Sequence, residues 1–113
     1  MNRRRNNKGK SQTDHTIRRL KERFGLKFTQ QLRDHALHQI HSGKATFVLQ
    51  QSLRVTVWDV DYDVKEHEII DPLLAKVGPT TLRFVHDAKR KTLVTALTTD
   101  MNPEDLVNYE DFY

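Results

Sequence analysis

The spacing of apolar residues predicts a first helix between Asp14 and Gly25. Ile17, Leu20 and Phe24 recur at helical spacing, so they would form one apolar stripe that packs on a core. Thr13 or Asp14 offers a capping side chain at the start, and Gly25 favours a left-handed end. The opposite side of this helix would carry His15, Arg19 and Arg23 at intervals of four residues.

A second helix is predicted over roughly residues 30–42. Thr29 is a suitable cap, and Gly43 lies just beyond the end. Its buried stripe would consist of Phe28, Leu32, Ala36 and Ile40.

After residue 44 the pattern changes from helical spacing to alternation, which predicts strands. Four runs have this character, at residues 45–50, 53–64, 81–86 and 91–98. In the second run the alternation slips near Val57–Trp58, so we expect a bulge there or burial on both faces. The chain is therefore predicted to have an α+β fold, with two N-terminal helices packed on a four-stranded, mainly antiparallel sheet.

Composition divides the chain into a body and two flanking segments. Residues 1–12 hold one apolar residue and five cations, and are predicted to form a disordered basic arm. Residues 13–99 would form a single α+β domain, and residues 100–113 an acidic, aromatic tail with a short helix. Within the body, Asp71-Pro72 predicts one or two helical turns, and Gly78-Pro79 predicts a break before the third strand.

The charges are unevenly distributed along the chain. Residues 1–28 carry ten Lys or Arg against two acids, a net +8, whereas the remainder carries nine against thirteen, a net −4. This asymmetry indicates RNA or another polyanion as a partner met by one face, and it could equally mean that the two ends of this chain, or of two chains, attract each other. The chain has no cysteine and no long apolar run, so we expect a cytoplasmic protein without a membrane segment, signal peptide or disulfide.

Several common site chemistries are disfavoured. Asp59, Asp61 and Asp63 lack the glycine and the closing glutamate of a calcium loop. His35, His38 and His41 would spread over too wide an arc of the second helix to bind one ion. The four glycines form no phosphate-binding loop, so no metal and no cofactor is expected.

What remains is histidine and arginine chemistry directed at phosphate. Metal-free RNA cleavage needs a base, an acid and positive charge around the reacting phosphate, and His and Arg supply all three. Candidate catalytic residues are His15, Arg19, Arg54, Arg83 and His86. Candidate nucleic-acid-binding residues are Arg3, Arg4, Arg5, Lys8, Lys10 and Arg23.

The run from His15 to Gly25 resembles the helix that opens many small domains related to bacterial toxin ribonucleases, the barnase–EndoU–colicin–RelE (BECR) superfamily. Thr16 stands where that motif usually has Ala, and Phe24 stands between the second Arg and the Gly. The resemblance extends over about residues 14–98. It implies an antiparallel sheet after two helices, aligns His15, Arg19 and Arg23 with the motif, and aligns Thr95 with a polar position in the last strand.

The sequence thus predicts an RNA-directed protein, with a metal-independent, toxin-like endoribonuclease as one form of that activity. The alternative is a non-enzymatic, phage-type accessory protein that binds or inhibits a host macromolecule. The surface for a protein partner would then be the acidic residues from Asp59 to Asp71 and the tail 100–113. A further possibility is that the acidic tail folds over the basic face and restrains it.

Overall fold

A computed structural model of the chain describes the backbone of residues 3–101 and the side chains of residues 11–101. The elements are α1 (Arg3–Phe24), α2 (Gln30–His41), β1 (Thr46–Gln50), β2 (Val55–Val64), a 3₁₀ turn (Glu66–Glu68), β3 (Gly78–Asp87) and β4 (Thr92–Leu97). The strands form one sheet in the order β1-β2-β3-β4, and each pair is antiparallel. The predicted α+β architecture is confirmed.

Helix α1 lies along β4, the strand at one edge of the sheet. The Thr16 hydroxyl donates to Leu93 O (2.6 Å), and Arg23 Nη1 donates to Ala96 O (2.7 Å). An edge strand presents backbone groups that no neighbouring strand can satisfy, and polar side chains of α1 bind two of these carbonyls. The helix therefore covers the edge as well as adding to the core.

This edge contact changes which side of α1 is buried. Gln12, Thr16 and Leu20 are completely buried, whereas Ile17 is 45% exposed. The predicted stripe of Ile17, Leu20 and Phe24 is therefore wrong at Ile17, because Gln12 and Thr16, which bind polar groups of the sheet, share the buried side of the helix with Leu20.

The start of α1 is also corrected. The helix begins at Arg3 and passes through the predicted cap at Thr13 or Asp14. The predicted boundary between an arm at residues 1–12 and a body from residue 13 does not hold, since Gln12 is helical and buried. The side chains of residues 1–10 lie outside the described part of the chain.

Helix α2 packs across one face of the sheet, as its pattern predicts. Thr29 caps it by accepting from Leu32 N, and Leu32, Ala36 and Ile40 are buried. They join the main core with β-strand residues that include Val60, Leu82 and Phe84. Among the described residues, no helix is both long and apolar enough to span a membrane.

The other face of the sheet carries a second apolar cluster of Val55, Val57, Val85, Val94 and Leu97. Strand β2 runs unbroken from Val55 to Val64, and it is buried on both faces. The slip in its alternation thus reflects burial on both faces, which was one of the two predicted explanations. Irregular register occurs instead in β1, between Phe47 and Leu49, and between Val85 and His86 in the β3–β4 pair.

The segment between β2 and β3 is hydrogen-bonded to the connection between α1 and α2. Gly25, with a φ of 64°, ends α1 in the predicted left-handed conformation, and its carbonyl accepts from Ile70 N (2.7 Å) and Asp71 N (3.1 Å). Residues 72–74 form a single turn, in which Ala75 N donates to Asp71 O (3.0 Å), so of the predicted one or two helical turns the structure has one hydrogen-bonded turn.

The predicted break at Gly78-Pro79 is wrong, because both residues belong to β3. Pro79 pairs with Asp63 of β2 but lies beyond the end of β4, whose pairing with β3 begins at Arg83. A proline is tolerated there because only one side of the strand has a partner.

Candidate nucleic-acid interface

A buried carboxylate, Asp87, organises the cations at one end of the sheet. It is the last residue of β3 and is completely buried. Its Oδ2 accepts from Arg54 Nη2 (3.2 Å), Arg90 Nη1 (3.2 Å) and Gln12 Nε2 (3.1 Å). Its Oδ1 accepts from the backbone N–H groups of Lys89 (3.0 Å) and Arg90 (3.1 Å).

These contacts keep Asp87 ionised. Burial alone would raise the pKa of Asp87, but the hydrogen bonds from Gln12 and Arg90 and the charge of Arg54 outweigh it, so the pKa is lowered. Each arginine contributes one nitrogen to this carboxylate, and the side chains of Arg54 and Arg90 are 34% and 27% exposed. A guanidinium has five N–H donors, so both can bind a phosphate while Asp87 holds them in place.

Local backbone chemistry explains why the cations meet here. The Asp87 side chain closes the β3–β4 turn on the N–H groups of Lys89 and Arg90, an arrangement typical of aspartate at a turn. The N–H of Ala88 donates to Arg54 O (2.8 Å), which holds the β1–β2 connection against this turn. We call the surface formed by Arg54, Lys89, Arg90 and Lys91 the basic end; two of its four cations, Arg54 and Arg90, pair with Asp87.

Helix α1 joins the basic end through Gln12. Gln12 bridges Asp87 and Thr92, since Nε2 donates to the carboxylate and Oε1 accepts from the Thr92 hydroxyl. The backbone of α1 continues from this contact to Arg3, and residues 3–10 include five cations in the sequence. Arg3, Arg4, Arg5, Lys8 and Lys10, all predicted to bind nucleic acid, therefore belong to a helix that contacts the basic end at Gln12.

The three residues of the predicted row on α1, His15, Arg19 and Arg23, each contact a different partner. Arg18 Nη2 donates to His15 Nδ1 (3.0 Å), and Arg19 forms an ion pair with Glu22 (3.0 Å). Arg23 turns to the sheet and binds Ala96 O. His15 lines a shallow surface depression of about 210 Å³ with Ser11, Asp14 and Arg18.

The remaining candidates lie on both faces of the sheet. Arg83 makes a two-point ion pair with Asp59, with Nε–Oδ1 at 2.7 Å and Nη2–Oδ2 at 2.9 Å, and this hydrogen bonding raises its pKa. His86, three residues further along β3, projects from the opposite face and contacts His41, with ring centroids 5.4 Å apart. The five candidate catalytic residues therefore do not converge, and only Arg54 lies in the basic end.

His86 is buried without a hydrogen-bond partner for Nε2 among the described residues. Burial lowers the pKa of His86, and the nearby His41 lowers it further. Thr95, the polar position in the last strand, is also buried, and its Oγ1 likewise has no hydrogen-bond partner within the described part.

Lys89, Arg90 and Lys91 of the basic end are among the cations that the sequence offers for holding a phosphodiester, but they are not among the predicted catalytic or nucleic-acid-binding residues. The available signal was an aspartate followed by a run of cations at a predicted hairpin turn, Asp87 to Lys91. Neither spacing nor periodicity could indicate that Arg54 and Gln12 would join Asp87, because they lie 33 and 75 residues away.

Three acids of the surface predicted for a protein partner make contacts within the chain. Asp59 is paired with Arg83, Asp61 accepts from Thr81 (3.1 Å), and Asp63 pairs with Lys65 (2.7 Å). The rest of that surface, the tail, lies outside the described residues from position 102 onward. A protein partner therefore stays a prediction, as do the docking of the tail and its restraint of the basic face.

The histidines of α2 have different surroundings. His35 Nε2 contacts Asp61 O (2.6 Å) and its ring packs near Tyr62, whereas His41 meets His86. Within residues 11–101, no three His, Asp or Glu side chains come together as ligands for a metal ion.

Comparisons with protein families, with curated proteins and with solved structures find no match to this chain. The resemblance to the BECR superfamily therefore stays a prediction.

Proposed function

We propose that this protein binds RNA through the basic end, by holding the phosphate backbone rather than by cutting it. The observation that carries the proposal is the arrangement at Asp87, where one buried carboxylate positions two partly exposed guanidiniums. Arginine forks of this kind match the geometry of phosphate oxygens. The adjoining positive charges are those of Lys89, Lys91 and the cations among residues 3–10 of α1. They add affinity for the RNA backbone that does not depend on the RNA sequence.

The positions of the candidate catalytic groups favour binding over cleavage. An acid and a base have to reach the same phosphate, yet His15 lies on α1 beside Arg18, whereas His86 is buried against His41. Arg83 is held by Asp59 on the sheet face opposite to His86. The second proposal is that the protein is an endoribonuclease. Incubating RNA with the protein distinguishes cleavage from binding alone.

Binding is tested by measuring the affinity of the full chain for an RNA oligomer at several salt concentrations. The double variant Lys89→Gln/Lys91→Gln removes two exposed charges from the basic end. We expect weaker binding and a smaller dependence on salt, because the slope of log K against log salt should fall by about 0.7 for each phosphate that the variant no longer neutralises.

The matched control is Lys27→Gln/Lys76→Gln, which removes the same charge from two exposed lysines near the opposite end of β3. Equal reductions in affinity in the two double variants would show a general charge effect and would contradict the proposal. In parallel, RNA incubated with the protein and a chelator between about pH 5 and 8 should stay intact. Cleavage that survives chelation and repurification would instead establish the endoribonuclease.

A further inference from the structure

An exposed aromatic pair lies on the helix-facing side of the sheet, at the edge formed by β1. Phe47 of β1 is 52% exposed, and in the sheet register it stands opposite Trp58 of β2. The two rings meet edge to face, with centroids 5.3 Å apart and planes at 76°. Trp58 also packs against the main core, so the core fixes the ring against which Phe47 rests.

Polar groups border this pair along the same side of the sheet. The next row of the register holds Gln50 opposite Thr56, and Thr56 in turn stands opposite His86. Trp58 Nε1 donates to Thr56 Oγ1 (2.8 Å), so the indole N–H is satisfied and the hydroxyl can still donate to an acceptor. The exposed Phe47 ring therefore has polar side chains next to it that can form hydrogen bonds with a ligand.

A positive charge lies near the pair in the chain. Lys44 is exposed and follows the last turn of α2, three residues before Phe47. Asp59, the next residue of β2 after Trp58, projects from the other face of the sheet and is paired with Arg83. This setting complements an anionic ligand with a flat ring.

We propose that Phe47 and Trp58 form a stacking platform for a base of single-stranded RNA whose backbone is held at the basic end. The inference rests on the proposed function and names the class of RNA. From Gln50 to Phe47 the strand rises about 10 Å, and the β1–β2 connection that follows Gln50 leads directly to Arg54. A strand of RNA bound at Arg54 thereby passes Gln50 and Thr56 and brings the adjoining bases to Phe47.

Single-stranded RNA fits these contacts better than a duplex. Bases within a duplex are stacked on one another and cannot reach a protein ring, whereas splayed bases stack on aromatic side chains with little regard to sequence. A purely apolar peptide would use Phe47 but would gain nothing from Lys44 and Arg54.

Trp58 is the only tryptophan of the chain, so its fluorescence reports on the platform directly. The probes are an oligoadenylate of about ten nucleotides and an abasic oligomer of the same length and charge. For the full-length protein we expect the oligoadenylate to bind about tenfold more tightly than the abasic oligomer and to change the Trp58 emission. A tenfold preference corresponds to roughly 1.4 kcal/mol, which is within the range for stacking of one base on an aromatic side chain. The abasic oligomer should bind without that change.

Phe47→Ala should abolish the preference for oligoadenylate and leave the affinity for the abasic oligomer unchanged. Phe47→Leu keeps an apolar side chain at this position but removes the aromatic face, so it should lose the preference as well. Because Leu retains apolar packing, this variant shows whether the loss in Phe47→Ala arises from misfolding. Leu53→Ala, at a residue that is 99% exposed on the same edge of the sheet, is the matched control and should keep the preference.

Equal affinity for the two oligomers, or a preference that survives in Phe47→Leu, would overturn the stacking platform and leave the proposed function intact. Failure of both oligomers to bind would overturn the proposed function itself. A Trp58 emission that depends on protein concentration without RNA would assign the surface to a second copy of the chain, and would also overturn the inference.

Discussion

Asp87 and His86 are adjacent buried residues of β3 with opposite electrostatic surroundings. Asp87 receives hydrogen bonds from side chains and backbone and has a lowered pKa, so it remains charged. The Nε2 atom of His86 has no partner within the described part, and burial lowers its pKa, so the neutral ring is favoured. Satisfaction of hydrogen bonds thus decides which buried group keeps its charge.

The setting of His86 predicts that the free energy of unfolding depends on pH. Its pKa in the folded protein lies below the ordinary value of about 6.5, so the unfolded chain binds the proton first as the pH falls. Stability should therefore be complete above about pH 7 and should decline as the pH falls below 6.5. His41 and Asp87 face or adjoin the ring, and the charge of Asp87 reduces the effect.

Urea unfolding at several pH values between about 5 and 7.5 measures this decline. His86→Phe keeps a planar ring of similar volume and removes the titrating nitrogens, so it should flatten the profile between pH 5 and 6.5. An unchanged profile in this variant would assign the decline to other groups.

Gly25 is a second residue whose replacement has a specific expected cost. A Cβ at this position would lie 2.6 Å from Asp71 O, and the φ of 64° is strained for any other residue. Gly25→Ala should therefore lower the free energy of unfolding by about 2–4 kcal/mol, combining strain and a backbone clash.

Gly43→Ala separates these two contributions. Gly43 also has a positive φ, of 78°, but a Cβ there would meet nothing within 4 Å. Its replacement should cost only about 1 kcal/mol from the backbone strain. Equal reductions in stability in the two variants, measured by urea unfolding, would show that the contact with Asp71 does not matter.

At the scale of elements, α1 acts as a cover for the edge of the sheet. Thr16 is completely buried and donates to Leu93 O, and Arg23 reaches Ala96 O. These bonds replace the strand neighbour that β4 lacks. The helix and the edge strand should therefore lose order together when one of the bonds is removed.

Thr16→Val tests this coupling because it replaces a hydroxyl by a methyl group of similar size. Leu93 O would be left without its donor in a buried position, so the free energy of unfolding should fall by about 1–3 kcal/mol. Hydrogen exchange should accelerate in both α1 and β4. Thr46→Val, at an exposed position of β1, is the control, and its effect should stay within about 0.5 kcal/mol. A similar destabilisation in both variants would indicate an effect of threonine replacement itself.

At the scale of the whole molecule, apolar periodicity was sufficient for the elements that pack by apolar contact alone. It predicted α2 with its cap at Thr29 and the sheet of four strands, both of which the structure has. It could not predict the orientation of α1, because Gln12, Thr16 and Arg23 are polar residues used to bind other polar groups. The basic end was only partly predicted for the same reason, since its contacts to Asp87 join distant parts of the chain.

The fold turns the uneven charge of the sequence into a spatial feature. The β1–β2 connection and the β3–β4 turn bring the four cations of the basic end to one end of the sheet, where Arg54 and Arg90 share a single carboxylate. Exposed like charges on adjoining segments repel each other, and dissolved salt screens that repulsion, whereas the buried contacts of Asp87 are screened much less. The basic end should therefore lower the stability of the protein at low ionic strength.

Raising sodium chloride from about 0.02 to 0.3 M should consequently increase the free energy of unfolding, by on the order of 1 kcal/mol or less because the lysines are exposed. Lys89→Gln/Lys91→Gln removes part of the repulsion, so this variant should be more stable than the parent at low salt and should respond less to added salt. Lys27→Gln/Lys76→Gln loses the same charge away from the basic end and should keep the response of the parent. Urea unfolding at each salt concentration distinguishes these outcomes. If the salt dependence of the free energy of unfolding falls equally in the two double variants, the total charge of the protein causes the effect, and not the clustering of charge at the basic end.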